Sequence, residues 1–195
     1  SKIERIFQMY HPLIVILQTG LSPMIRLGLI GCGAHCRGNH APALVQYAKD
    51  HPDRLTLSAV CDLDRRKAEE FSGTYGFENV YTDYFEMLEK ESLDGCVAVM
   101  PIEHTASLAI DLMKRGVPAT VEKPMGFTLV EIRGIVSTAE ETGTSNMVSV
   151  NRRFEPLLRK AVDWVREQGP IRFCRASLLR HNRREDFFVS GTGIH

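Results

Sequence analysis

The stretch IRLGLIGCGAHCRGNH, residues 25–40, decides the fold. Ile25–Ile30 is a compact apolar run that reads as a buried strand, and it stops at Gly31. Gly31-Cys32-Gly33-Ala34-His35-Cys36 then follows the G-x-G-x-x-G pattern up to its last position. In such a turn the first glycine makes the tight bend and the second lets a pyrophosphate approach the backbone. The third allows close helix–strand packing, and the helix behind it aims its N-terminus at the phosphates. Cys36 replaces that third glycine and is expected to strain the packing. Ala34 and His35 are assigned to the ligand together with the turn. Arg37 reads either as a phosphate contact or as a surface residue, and His40 either as a cap for the turn or as a surface residue.

Downstream, short apolar runs alternate with amphipathic stretches of helical length. Strands are expected at Leu55–Cys61, Asn79–Tyr81, Gly95–Met100, Ala119–Glu122 and Met147–Val150. Helices are expected at Asn39–Asp50, Asp64–Tyr75, Tyr84–Lys90, Thr105–Arg115 and Leu129–Glu141, with Gly76, Gly116 and Gly143 as C-terminal stops. Strands separated by helices require right-handed crossovers, hence an α/β doubly wound parallel sheet of the Rossmann type over residues 24–150.

Three strand ends carry chemistry, because ligands of such sheets sit beyond the carboxyl ends of the strands. Asp62 ends the second strand, 26 residues after Cys36, and an acid there accepts hydrogen bonds from the adenosine ribose hydroxyls of a dinucleotide. Its charge would repel a 2′-phosphate, which favours NAD. Arg65 and Arg66 follow closely and would accept one, so NADP stays open. The competing reading of Asp62 is a helix N-cap. After the fourth strand, Met100-Pro101-Ile102-Glu103-His104 offers an apolar wall along the cofactor path, with His104 either touching the cofactor or capping the next helix. After the fifth, Glu122-Lys123-Pro124 sets a lysine where it can hydrogen-bond a substrate hydroxyl and stabilise negative charge developing on that oxygen. The plain alternative for Lys123 is a solvated surface lysine.

Composition bounds the rest. Lys plus Arg equals Asp plus Glu at 24 each, so no net field favours nucleic acid or an acidic membrane. Five cysteines in a chain of 195 residues suit reduced thiols of a cytoplasmic protein better than a disulfide framework. No second ligand cluster matches Cys32 and Cys36, so no metal site is expected. Residues 1–23 contain only a five-residue apolar run, Leu13–Leu17, too short for a membrane span of about 20 residues, and read as an extension ahead of Met24. Beyond Val150, Asn151-Arg152-Arg153-Phe154 leads to a helix, Pro156–Gln168, and an expected strand, Ile171–Leu179. One helix and one strand cannot bury a core, so residues 151–195 read as the start of a truncated second domain. The apolar face of that helix, with Trp164, predicts self-association into a homo-oligomer.

GLIGCGAHCRGNHAPAL, CDLDRRKAEEF, the strand ending in MPIEH, VEKPMG, and NRRFEP ahead of an amphipathic helix together resemble the Gfo/Idh/MocA oxidoreductases, in the same order, over residues 24–195. The resemblance implies an N-terminal NAD(P) domain and a C-terminal open-faced α+β sheet that shapes the substrate pocket. It also implies hydride transfer between nicotinamide and a sugar, cyclitol or related hydroxy compound. On that basis Lys123 corresponds to the substrate-contacting lysine, Glu122 lies near the nicotinamide, and Asn151 and Arg152 lie near the domain junction. His195, closing a GTGIH segment like the family's Asp-x-Gly-x-His but with Gly191 for the aspartate, corresponds to the proton-abstracting base. The non-enzymatic alternative is a cofactor-binding remnant without turnover. A methyltransferase using S-adenosylmethionine would share the glycine turn and strand-end acid but gives Glu122-Lys123-Pro124 no role.

Overall fold

The computed structural model describes residues 24–175 and residue 177. The strands are β1 (Ile25–Ile30), β2 (Leu55–Cys61), β3 (Asn79–Tyr81), β4 (Gly95–Ala98), β5 (Ala119–Val121) and β6 (Asn146–Val148). The helices are α1 (Ala41–Asp50), α2 (Arg65–Tyr75), α3 (Tyr84–Lys90), α4 (Ile102–Lys114), α5 (Leu129–Thr142) and α6 (Pro156–Glu167). All strand pairs are parallel, in the order β3-β2-β1-β4-β5-β6. This is the Rossmann order, whose winding reverses between β1 and β4 and opens a crevice there. The chain divides into two units, one through Glu155 and one from Pro156.

The strands are apolar on both faces because helices cover both. Leu27, Leu29, Leu57, Val60 and Val97 pack with Leu44, Ala68, Phe71 and Phe77 on the side of α1 and α2. Ile30, Ala59, Cys61, Ala98 and Val121 pack with Met87, Leu108, Leu112, Met113 and Ile135 on the side of α3, α4 and α5. Helix ends follow local chemistry: Thr128 and Glu131 form a reciprocal capping box at the start of α5, and Gly76 and Gly143 close α2 and α5 in the left-handed conformation.

Several boundaries differ from the sequence expectation. The helix after β4 begins at Ile102, not Thr105, because Pro101 stands at its N-cap position and its carbonyl accepts the His104 amide at 3.0 Å. His104 therefore lies inside the first turn and does not cap the helix. β4 ends at Ala98 and β5 at Val121, short of Met100 and Glu122. β6 runs Asn146–Val148, and the chain then turns, the Val150 amide reaching the Val148 carbonyl at 2.7 Å. Helix α6 is present, with Leu157, Leu158, Trp164 and Val165 exposed. Residues 171–175 form no strand, and most of the remainder of the expected Ile171–Leu179 strand, with His195 and residues 1–23, lies outside the described residues.

Candidate functional site

At the tip of β1, Gly31 has φ +97°, and a Cβ there would lie 2.1 Å from the Val99 carbonyl oxygen. Only glycine fits where β1 and β4 diverge. Its amide donates to the Cys61 carbonyl at 2.8 Å, and the Cys32 amide donates to Asp62 Oδ2 at 2.8 Å. Neither amide is therefore left for an anion, and Gly31 contributes the bend and not its own N–H. The donors that remain are the first-turn amides of Ala34, His35 and Cys36, ahead of the first helical bond from the Arg37 amide to the Gly33 carbonyl at 3.0 Å. A Cβ on Gly33 would meet nothing within 4 Å, so a ligand can approach the turn closely.

Cys36 does not obstruct this approach. Its side chain is fully buried among Leu27, Leu44 and Phe71 in the core below the turn. Arg37 is also turned away from the crevice. Its Nε donates to the Cys32 carbonyl at 3.1 Å, its Nη1 to Glu70 at 3.1 Å, and its guanidinium lies over the Phe71 ring at 5.3 Å. It braces the turn from behind.

Asp62 is fixed at both oxygens: Oδ2 by Cys32 and Oδ1 by the Asp64 amide at 3.0 Å. Each oxygen keeps a lone pair for a further donor. The cap of α2 is Asp64, which accepts from the Lys67 amide, so Asp62 is not that N-cap. A cavity of about 810 Å³ opens beside it and brings together Gly31, Gly33, Asp62, Met100, Pro101 and His104. That volume suits a small-molecule ligand. The basic residue on its wall is Lys67, within 3.8 Å of Asp64, rather than Arg66, which is exposed on α2. Lys67 was missed because nothing in its spacing separates it from its basic neighbours.

Further along the strand ends, and not among the residues that line that cavity, Glu122 follows β5 and is mostly buried. Its Oε1 lies 2.7 Å from His40 Nε2 and 3.3 Å from His35 Nε2, and its Oε2 accepts the Lys123 amide at 3.1 Å. Burial pushes the Glu122 carboxyl up, but hydrogen bonds from His35 and His40, with their charges, outweigh burial and hold it down at about 2. The same bond raises His35 above its ordinary value, against burial. These three residues form a group whose ligand atoms lie within 4.8 Å of one another. The 2.7 Å contact is a hydrogen-bond distance, shorter than the separation of roughly 3.3 Å expected between two ligands around one zinc ion. Lys123 is exposed and precedes a cis peptide bond to Pro124. His35 is the one group of the glycine turn that reaches this second cluster. Asn151 and Arg152 are exposed in a 3₁₀ turn, while their neighbour Arg153 donates to the Val150 carbonyl at 3.1 Å and ties that turn to the sheet edge through the Val148 carbonyl at 3.4 Å.

The four thiols Cys32, Cys36, Cys61 and Cys96 are buried and free, and Cys174 is exposed. Burial pushes Cys36, Cys61 and Cys96 up to about 12 and Cys32 upward as well. Among the described residues no helix is long and apolar enough to cross a membrane.

The turn, the switch-point crevice and the fixed strand-end acid are the parts of a dinucleotide site, and the sequence comparison agrees. Residues 25–151 match the family model described as the oxidoreductase family with an NAD-binding Rossmann fold. The chain belongs to the Gfo/Idh/MocA family. This Gfo/Idh/MocA chain is 31% identical over 179 residues to a D-apiose dehydrogenase of Paraburkholderia graminis, covering 86% of the chain and 46% of that protein. It is 25% identical to the scyllo-inositol 2-dehydrogenase (NADP(+)) IolU of Bacillus subtilis, covering 88% of the chain and 51% of that protein. Among solved structures it resembles the WlbA dehydrogenase from Bordetella pertussis in complex with NADH and UDP-GlcNAcA, with TM-score 0.66 and 27% identity, covering 75% of this chain and 42% of that one. The chain thus spans about half the length of the curated relatives it matches.

Proposed function

We propose that residues 24–150 bind NAD in preference to NADP, as the cofactor domain of an oxidoreductase acting on a sugar, cyclitol or related hydroxy compound. The observation that carries this reading is Asp62, fixed by two main-chain amides at the tip of β2 and facing the cavity. A carboxylate so held accepts from vicinal ribose hydroxyls and repels a phosphate in their place. Gly33, Ala34 and His35 lie where the pyrophosphate would, and Met100, Pro101 and His104 form the wall beside it. Arg66, exposed on α2, is not on that wall, and Lys67 is the basic residue beside the ribose site. When bound, the nicotinamide supplies the hydride acceptor or donor. The chain's own part is to position and polarise: Glu122 orders the Lys123 backbone, and the Lys123 ammonium donates to the substrate oxygen and stabilises charge on it. His195 is the candidate proton acceptor, and Asn151 and Arg152 belong at the junction between residues 24–150 and the start of a substrate domain over residues 151–195. The apolar face of α6 supports assembly into a homo-oligomer.

Binding and turnover are separate questions for a chain spanning half its relatives, and one experiment orders them. Calorimetric titration of the 195-residue chain with NADH and NADPH is expected to give tighter NADH binding. Equal or reversed affinity overturns the NAD preference, and no binding of either overturns the cofactor reading. Dehydrogenase assays with NAD and a panel of polyols then separate an active chain from the remnant that binds without turnover.

A further inference from the structure

We propose that His40 is a positioning residue for the second half of the crevice, holding the Glu122–Lys123 peptide on the helix that follows the glycine turn. The proposal rests on the cofactor reading above and adds a residue that this reading does not use.

The first observation is the shape of that helix. Residues Cys36–His40 form a π-turn before α1 begins at Ala41. A π-turn winds in one residue more than an α-turn, is rare, and recurs at functional sites. At 3.6 residues per turn, one residue more or less swings a side chain by about 100° around the helix. The π-turn therefore sets which way His40 points. It points inward: His40 is 2% exposed, and its Nε2 meets Glu122 Oε1 at 2.7 Å. The partners are 82 residues apart and lie on elements following different strands, β1 and β5. This is a tie across the sheet.

The second observation is what Glu122 does with its other oxygen. Oε2 accepts the amide of Lys123, the next residue. The carboxylate thus couples His40 to the backbone that aims the lysine. His35, 57% exposed at the side chain, makes the longer contact at 3.3 Å and lies on the solvent side of the same carboxylate. The short, buried member of the trio is His40. Without its donor, the carboxylate would be left under-satisfied in a mostly buried site and would turn toward solvent, releasing the Lys123 amide.

In a Rossmann sheet the two βαβαβ halves hold the two mononucleotides. β1 and β2 carry the Asp62 site, whereas the His40–Glu122 tie secures the β5 end. Removing the tie should therefore weaken a whole dinucleotide while sparing its ADP-ribose portion.

The experiment titrates the 195-residue chain with NADH and, separately, with ADP-ribose. His40→Leu, which removes the donor at similar size, is expected to weaken NADH at least tenfold and ADP-ribose no more than about twofold. His40→Gln, whose amide nitrogen reaches a similar place, is expected to recover NADH binding to within a few-fold of the native chain. Native NADH affinity in the Leu variant overturns the proposal. So does equal loss of both ligands, the signature of a general folding defect, or a Gln variant no better than Leu. A native chain that binds neither ligand fails earlier and takes the cofactor reading with it.

Discussion

Around β2 the polar groups of the crevice are held by main-chain donors, whereas around β5 they are held by side chains from across the sheet. Asp62 leans on the amides of Cys32 and Asp64, and Gly31 on the Cys61 carbonyl. Glu122 accepts the Lys123 amide but leans chiefly on two imidazoles, both more than eighty residues away. Backbone scaffolding changes only if the fold changes. A carboxylate between imidazoles answers to protonation and to single substitutions. Two halves of one site thus differ in how easily they can be adjusted.

The largest effect that would break this comparison comes from the backbone side. Gly31→Ala would set a methyl 2.1 Å from the Val99 carbonyl at a φ of +97°. It is expected to cost on the order of 4 kcal/mol or more in denaturant unfolding. A loss under about 1 kcal/mol would mean the turn is not rigid.

Next comes acid. Glu122 sits at about 2, below the 4.5 of a free carboxyl, so its contribution to stability is full above about pH 4.5 and fades as pH falls toward 2. Compared with Glu122→Gln, the native chain should lose on the order of 2–3 kcal/mol over that interval. Parallel stability curves for the two proteins would remove the ion pair from the account. His35 has the opposite sign: raised by Glu122, it stabilises fully below its ordinary 6.5, and that contribution disappears as pH rises through its higher folded value.

Asp62→Asn sharpens the contrast at smaller scale. The amide preserves the shape but loses one acceptor and the charge, so NADH should weaken by about tenfold while NADPH changes little or improves. Unchanged discrimination would show that Asp62 does not choose the cofactor. Smallest of all in stability is Lys123→Ala. Lys123 is exposed, and its removal should move unfolding by less than about 0.5 kcal/mol while abolishing any turnover the chain has. Full retained turnover would remove Lys123 from the chemistry.

The same contrast explains what the sequence could and could not reveal. The first half follows from short-range pattern: an apolar run, a glycine turn, a strand-end acid, and Asp64 three residues before Lys67 as the cap. These are local rules, and the six parallel strands follow from their repetition. The His40–Glu122 pair obeys no spacing rule, since tertiary folding alone brings it together. Sequence reading gave His40 only as a cap or a surface residue, and it could not see the π-turn that aims it. Arg37 was ambiguous for a related reason, because its partners Glu70 and Phe71 lie on α2. The early start of α4 escaped notice because a proline at N-cap is a less common opening than the Thr that follows it.

Cys36 closes the comparison. Because the third position of the turn points into the core, its thiol sits under the crevice floor, with Cys32 in the same cluster. A thiol-reactive dye meets Cys174 on the native surface, while Cys32 and Cys36 come within reach only when the floor itself lifts. The protein therefore carries its own stopwatch for the opening of the glycine turn, and a ligand seated above would slow it.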